Sequence, residues 1–516
     1  MKLTIPCFAD QCLAMKKLLL VISTLLLFGK LYAQPLFVKD SLDNYINKGM
    51  QDWDIPGLAI VIVKDGKVVV MKGYGVRNLE TKEPVDENTL FMIASNSKLF
   101  TATSLTQLEY DRKLSLNDKI TKYFPWYSVY DSNTTALVTI RDMLSHHLGT
   151  KTFQGDFTFW NSLYSRDSIM YKMRLLKPTG NFRQQWGYCN SCFLTAGQVI
   201  QKVTGKPWEV YVYDSIILPL GMANTYALGN NMGLMPDAAS PYTNSFSKEL
   251  QLLPYDNIDN MAPAASMVSN VKDISKWLLM QLDSGRLNGK QIIPWAAIQR
   301  TRDMNTIIAS RKNPFLPYHY YGYGLGVFMS DYGGKQVFEH TGGAFGFVTN
   351  TCFVPEENLG IAIFTNNDNQ SFFEMLRYRI LDAYLGRPFR DYNKIVLDNF
   401  KDERKERLNE IDEYKARIKN KKPPLSINAY TGDYTNPVFG NISIRVVAGD
   451  LVIKFSQHNL TATLEYMGDN EWLLSYSISA YGIFPLTFIT DNNRVVSVDI
   501  MVNDSLDQDP YTFTKQ

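Results

Sequence analysis

The stretch FMIASNSKLFTA, residues 91–102, decides how the rest of the chain is read. An apolar run, Leu90–Ala94, delivers the chain to a helix expected over 96–110, with Ser95 at its start. Positions i and i+3 at a helix start share one face, so Lys98 falls beside the Ser95 hydroxyl. The helix N-terminus favours negative charge developing there. An isolated serine is a poor nucleophile near neutral pH and needs an adjacent base. A lysine can serve if burial or a nearby cation lowers its pKa from about 10.4 towards neutrality. The spacing itself is cheap, since it recurs at Ser245–Lys248 and Ser269–Lys272. Taken alone, Ser95 reads as an N-cap and Lys98 as a solvated side chain.

Outward from this stretch the chain alternates between helical and strand-like segments. Upstream, Leu36, Val38, Leu42, Tyr45, Ile46, Met50 and Trp53 are spaced as one face of a helix over 36–53. LAIVIV and VVVMKGYGV then flank Asp65-Gly66 as a β-hairpin. A long mixed region with many Gly and Pro breaks runs from about 110 to 335. KQVFEHTGG, FGFVTNTCFV and LGIAIFTN read as successive strands from 336, and 370–387 as a helix. Composition changes near Tyr392. Residues 395–422 mix both charge signs over a loose helical apolar spacing, a surface connector helix that Pro423-Pro424 ends. From Ile427 onward come short alternating runs such as NISIRVV, DLVIKF and TATLEY, which describe a small antiparallel β domain.

Two further motifs could carry chemistry. In Tyr188-Cys189-Asn190, a tyrosine hydroxyl can shuttle a proton if a neighbouring lysine shifts its pKa from about 10. The Asn190 amide offers both a donor and an acceptor. His340-Thr341-Gly342-Gly343 follows a strand. Its glycines let a substrate approach the backbone closely, a backbone N–H after the turn could pair with that of Ser95 to hold an oxyanion, and His340 is expected to titrate near neutral pH. Each motif alone also has a bland structural reading.

In their order and spacing these motifs resemble the serine β-lactamase and penicillin-binding-protein family, in particular its class C β-lactamase, D-peptidase and esterase branch. TIRDMLSHHLG (139–149), PLGM (219–222), PAASMVSNVKDISKW (263–277) and YGYGLGV (321–327) extend the resemblance over about 40–388. Tyr430–Tyr434 and Asn436–Gly440 are similar to the opening of a β domain appended to such hydrolases. The resemblance implies an α+β, β-lactamase-like fold over 36–391: an antiparallel sheet flanked by helices, built from the two ends, and a helical part from the middle, with the active site between them. A linker helix (392–426) and an antiparallel β-barrel or sandwich (427–516) would follow. It casts Ser95 as the acylated nucleophile, Lys98 as its general-base partner and Tyr188 as a proton shuttle, with base and shuttle open to exchange because their titrations would be coupled. It casts Asn190, His340, Thr341 and Gly342 as substrate-binding, and Ser95 with Gly343 as the oxyanion hole. No metal and no cofactor are expected. Two positions depart from the pattern. His340 stands where many β-lactamases have lysine, which predicts weaker, pH-dependent carboxylate binding and favours ester, amide or small D-amino-acid peptide substrates. His147 and Leu148 replace the usual Thr-Ser. Both are expected to be structural, although His147 could approach the cleft. D,D-peptidase or β-lactamase activity, a non-catalytic peptide-binding scaffold, and a carbohydrate-binding or assembly role for the β domain are the competing readings.

Residues 16–33, KKLLLVISTLLLFGKLYA, have the basic, apolar, small order of a secretory signal peptide. Met15 is the expected true start and Gln34 the expected mature N-terminus, giving a periplasmic protein without a lasting membrane span. The apolar run from Leu18 to Phe28 is shorter than the roughly 20 residues a spanning helix needs. Five cysteines occur. Only Cys189, Cys192 and Cys352 lie beyond the leader, so a disulfide framework is not expected. Cys189 and Cys192 read as buried thiols or one local disulfide after export, and without a second ligand pair they do not read as a zinc site. The 516 residues are 45% hydrophobic and 20% charged, with 53 basic and 51 acidic side chains. That composition excludes a disordered chain and gives no electrostatic case for nucleic-acid binding. The expected partner is a small-molecule or peptide substrate, and oligomeric state is left open.

Overall fold

The computed structural model describes residues 34–418 and 421–516, so the expected leader, 1–33, lies outside the described residues. The larger, N-terminal unit is built on an eight-stranded antiparallel sheet. Its strands are β1 (Gly57–Lys64), β2 (Lys67–Gly75), β3 (Thr306–Ala309), β4 (Tyr321–Tyr323), β5 (Phe328–Ser330), β6 (Val337–Ala344), β7 (Phe347–Val354) and β8 (Leu359–Thr365). Across the sheet the order is β2-β1-β8-β7-β6-β5-β4-β3. The first hairpin therefore lies against the last strand, Leu58 opposite Thr365 and Lys64 opposite Leu359. The Asp65-Gly66 turn has φ of 51° and 76°, the left-handed pair that a tight two-residue hairpin requires.

The uninterrupted apolar run in β1 follows from burial on both faces. Leu58, Ile60 and Ile62 point into a core made with α1 (Leu42–Asp52) and α4 (Phe372–Tyr384), while Ala59, Val61 and Val63 point into the opposite core. That second core contains α2 (Ser97–Tyr110) and α3 (Asn190–Thr204). Full burial of each Leu, Ile or Val side chain among these contributes about 1.5–3 kcal/mol. The sheet is thus the middle layer, and α2 lies between it and the helical region from mid-chain.

The charged helix α5 (Tyr392–Arg417) starts at Asp391, whose carboxylate accepts from the Lys394 N–H at 3.0 Å. Only Tyr392, Asn393, Leu397 and Ile411 are buried, as its mixed charge requires. Beyond it, eight antiparallel strands from Gly432–Asn436 to Tyr511–Lys515 form a closed barrel. Pairing of Tyr434 with Lys515 joins the first strand to the last and removes both open edges. The barrel is bound to the helical region. The Leu163 N–H donates to Gln457 O at 2.8 Å, and the Tyr164 hydroxyl to Phe439 O at 2.8 Å. Phe157 is fully buried among the barrel rings, 4.7 Å from Phe439 and 5.4 Å from Tyr511 between centroids.

Candidate active site

Ser95 lies in a single 3-10 turn, Ala94–Asn96, that runs directly into α2. Ala94 has φ of 45°, a left-handed conformation that costs a residue with a Cβ roughly 1–2 kcal/mol. The turn is held from several sides. Ser97 Oγ donates to Ala94 O at 2.6 Å, and the Ile93 N–H to Met267 O at 2.9 Å. The Asn96 amide donates to Thr349 Oγ1 at 2.9 Å and accepts from Thr351 Oγ1 at 2.7 Å, tying the turn to β7. Strain over-determined in this way fixes where the Ser95 hydroxyl points.

Lys98 is fully buried, and its Nζ lies 3.0 Å from Ser95 Oγ and donates to Asn190 Oδ1 at 2.7 Å and Ala264 O at 2.9 Å. Burial holds its pKa well below the usual lysine range, and Asp156 opposes that only in part. Neither of the other two sequence matches makes such a pair. Lys248 bonds Asp412 at 3.0 Å and Lys272 bonds Asn88 at 3.1 Å, each away from its serine. Asn190, the first residue of α3, donates from Nδ2 to Asp156 Oδ2 at 2.6 Å. Burial raises the Asp156 carboxyl well above the usual range, against the Asn190 hydrogen bond. The Tyr188 pKa is shifted from its usual value of about 10, but not chiefly by a lysine. Burial raises it, and a hydrogen bond with Ser95 offsets only part. Lys98 Nζ sits 4.7 Å from the Tyr188 ring centroid, over the ring.

His340 is also corrected. It is 2% exposed, and burial together with the nearby Lys98 lowers its pKa to about 3. Its Nδ1–H donates to Thr341 O at 2.7 Å, so Nε2 accepts a hydrogen bond from the Tyr323 hydroxyl at 2.9 Å. A neutral imidazole locked this way provides no cation for a carboxylate. Gly342 has a packing role. A Cβ there would lie 2.0 Å from Ile93 O, so the bare glycine lets β6 close onto the Ser95 turn. Thr341 and Gly343 do line the cleft, and a Cβ on Gly343 would meet open space. β5 pairs with β6 only at residues 337–339, whereas β7 pairs with it up to Ala344. Among the described residues, 340–344 therefore keep one backbone edge without a strand partner.

Ser95, Asn190, Tyr188, Thr341 and Gly343 open on a cavity of 720 Å³. Phe153, Trp160, Trp186, Tyr321, Phe328 and Phe345 make its walls largely aromatic. Among the described residues lining it, Arg407 of α5 is the one Lys or Arg, and Asp156, Asp368 and Asp504 are the lining carboxyl groups. Asn503–Leu506 of the barrel close its rim.

His147 does not reach this cavity. Its Nε2 lies 2.9 Å from Thr306 Oγ1. Its neighbour His146 is the residue the sequence did not flag. It stacks 4.3 Å from Tyr188, and its Nδ1 accepts the Cys189 N–H at 2.9 Å. Asp156 was also missed, because nothing in GDFTFW marks it locally. Cys189 and Cys192 form a disulfide around Asn190, and Cys352 is a buried free thiol. Among the described residues no cluster of three or more His, Cys, Asp or Glu could hold a metal, and no helix is long and apolar enough to cross a membrane.

Fold and site together define a serine hydrolase of the β-lactamase and penicillin-binding type. Residues 42–385 match the Beta-lactamase family model, and the chain belongs to that family. Residues 416–515 match a domain of unknown function, DUF3471. Protein flp of Staphylococcus aureus strain MRSA252 is 29% identical over 253 residues, which are 48% of this chain and 49% of flp, so the match spans about half of that relative. Unguisins hydrolase ungD' of Aspergillus campestris is 27% identical over 424 residues, 77% of this chain and 76% of the relative. The octameric penicillin-binding protein homologue from Pyrococcus abyssi superposes with a TM-score of 0.59 at 20% identity, over 92% of this chain and 99% of that one, a likeness of fold.

Proposed function

We propose that the chain is an exported hydrolase that works through an acyl-enzyme on Ser95 and cleaves ester or amide bonds of small or D-amino-acid-containing substrates. The observation that carries this reading is the buried Lys98 amine 3.0 Å from Ser95 Oγ. With its pKa held well down by burial, Lys98 can accept the Ser95 proton, whereas the raised Tyr188 stays a neutral phenol. That favours Lys98 as base and leaves Tyr188 to relay a proton to the leaving group. Attack on a carbonyl gives a tetrahedral oxyanion, for which the N–H groups of Ser95 and Gly343 are the candidate donors. Collapse expels the leaving group, and water then releases the acyl chain from Ser95. Asn190 and Thr341 border the cavity where the substrate amide would lie. The neutral His340 disfavours substrates recognised through a carboxylate, so ester and amide cleavage ranks above D,D-peptidase or β-lactamase activity. A relative named as a hydrolase, aligned over three quarters of both chains, supports turnover rather than mere binding. Export is supported by the leader-like segment 16–33 and by the Cys189–Cys192 disulfide, which suits an oxidising compartment.

The test incubates wild type and Ser95→Ala with a fluorophosphonate, a penicillin and a short-chain aryl ester, and reads intact mass. An adduct on Ser95 that is absent from the variant, with turnover of the ester, is the expected result. A folded wild type that forms no adduct with any reagent refutes the proposal.

A further inference from the structure

Among the contacts between the hydrolase unit and the barrel, one turn carries Asp156. The segment 151–157 touches the site on one side. The Tyr188 N–H donates to Thr152 Oγ1 at 3.2 Å, the Phe153 N–H to Tyr188 O at 2.8 Å, and Asp156 accepts from Asn190. From the other side it is held by the barrel loop between the last two barrel strands. Asp507 Oδ2 accepts the Gly155 N–H at 3.0 Å, the Phe157 N–H at 3.5 Å and the Tyr511 hydroxyl at 2.7 Å. Lys151 pairs with Asp509 of the same loop, and Phe157 plugs the barrel end. The two backbone donors that Asp507 takes therefore flank Asp156.

We propose that Asp507 is a positioning residue for Lys98, acting from the barrel through the 155–157 turn, Asp156 and Asn190. This rests on the acyl-enzyme reading above. The contacts form an unbroken chain, Asp507 to the turn, Asp156 to Asn190, Asn190 to Lys98 and Lys98 to Ser95. Misplacing a reacting group by about 1 Å costs on the order of 100-fold in rate. The chain also carries charge. Lys98 faces Asp156, Tyr188, His146 and His340. Asp156 faces Lys98, Tyr188, Tyr511 and Asp507. Burial raises the Asp507 carboxyl, and its donors, with the Asp509 N–H as a fourth, offset part of that by favouring the carboxylate. That negative charge disfavours ionisation of Asp156. A neutral Asp156 in turn does not stabilise a protonated Lys98. The barrel carboxylate thus helps keep the lysine amine free to take the Ser95 proton.

The test measures the rate of fluorophosphonate labelling of Ser95 against pH in the full chain, for wild type, Asp507→Asn, Asp507→Ala, Asp156→Asn and the double variant Asp156→Asn/Asp507→Asn. Labelling should fall roughly 100-fold in Asp507→Ala. In Asp507→Asn, Asp156 ionises more readily and protonated Lys98 is stabilised, so the acid limb should move up by about one pH unit. In the Asp156→Asn background, the Asp507→Asn change should no longer move that limb. Asp507→Asn keeps the side chain's size and one acceptor, so it and the double variant carry the test if Asp507→Ala does not fold. Wild-type rates and an unmoved acid limb in the Asp507 variants, or an equal shift with and without Asp156, would overturn the proposal while leaving Ser95 acylation intact. A wild type that is not labelled overturns both readings together.

Discussion

Replacing His340 by Gln gives a direct measure of the charge state of the site. The imidazole titrates at about 3 in the folded chain, against about 6.5 when unfolded. Its folded pKa is depressed, so below 6.5 the unfolded chain binds a proton that the folded chain refuses. Stability therefore falls as pH drops from 6.5 towards 3 and is unaffected by this group above about 7.5. At pH 5 the gap is about 1.5 pH units, which at 1.36 kcal/mol per unit removes about 2 kcal/mol relative to pH 8. The group is 2% exposed, so solvent screening takes little from that figure. Gln at position 340 does not titrate. Urea unfolding at pH 8 and at pH 5, followed by tryptophan fluorescence, should show a stability loss about 2 kcal/mol smaller in His340→Gln than in wild type. The functional counterpart is flat affinity for acidic substrates between pH 6 and 8. Equal pH losses in the two proteins, or acidic-substrate affinity falling over that range in wild type alone, would refute the neutral, Tyr323-bonded imidazole.

Asn190→Ala removes the hydrogen bonds to Lys98 and Asp156 at once, leaving two buried polar groups each short of a partner. Urea unfolding should show about 2–5 kcal/mol of destabilisation, and Ser95 labelling should be close to abolished. Phe157→Ala empties a fully buried aromatic site at the barrel end and should cost about 3–5 kcal/mol. Calorimetry should then resolve barrel and catalytic-side unfolding as separate transitions. Gly342→Ala places a Cβ 2.0 Å from Ile93 O, so β6 must back away from the Ser95 turn. A destabilisation of about 1–3 kcal/mol with a fall in kcat larger than any rise in KM is expected from steady-state kinetics on the aryl ester.

The sheet was legible because its signals are local. The Asp65-Gly66 turn between two β-branched runs needs no distant partner to be recognised. The unbroken apolar run of β1 similarly announces cover on both faces. Ser95 and Lys98 were legible as a pair for the same reason, being one helical turn apart. The serine–lysine spacings at 245 and 269 show where that logic stops, because only the tertiary fold separates a buried amine from one paired at the surface. Burial is likewise a property of the assembled chain. Nothing in the sequence of His340 shows that Tyr323 and Thr341 will occupy both its nitrogens, or that Lys98 will sit close enough to keep it neutral. Phe157, next to Asp156, and Asp507 lie 350 residues apart in a spacing no periodicity encodes, yet the Asp507 carboxylate accepts the Phe157 N–H.

The same contacts bear on why the barrel is retained next to the hydrolase unit. A free-standing partner module would leave the cleft complete without it. Here the barrel loop supplies Asn503–Leu506 to the cavity rim, Arg407 of the connecting helix supplies its one lining guanidinium among the described residues, and Phe157 leaves the helical region to bury itself between barrel rings. Cutting the chain after Tyr392 would therefore expose Phe157, open one side of a 720 Å³ cavity and release the turn that bears Asp156. The eight-stranded sheet would keep its pairing, while the core under α1 and α4 would lose Leu397 and the opposite core would lose the barrel side chains continuous with it. Folding and catalysis make different demands on the tail, and a truncated chain that keeps its sheet but loses its acylation rate would display that difference.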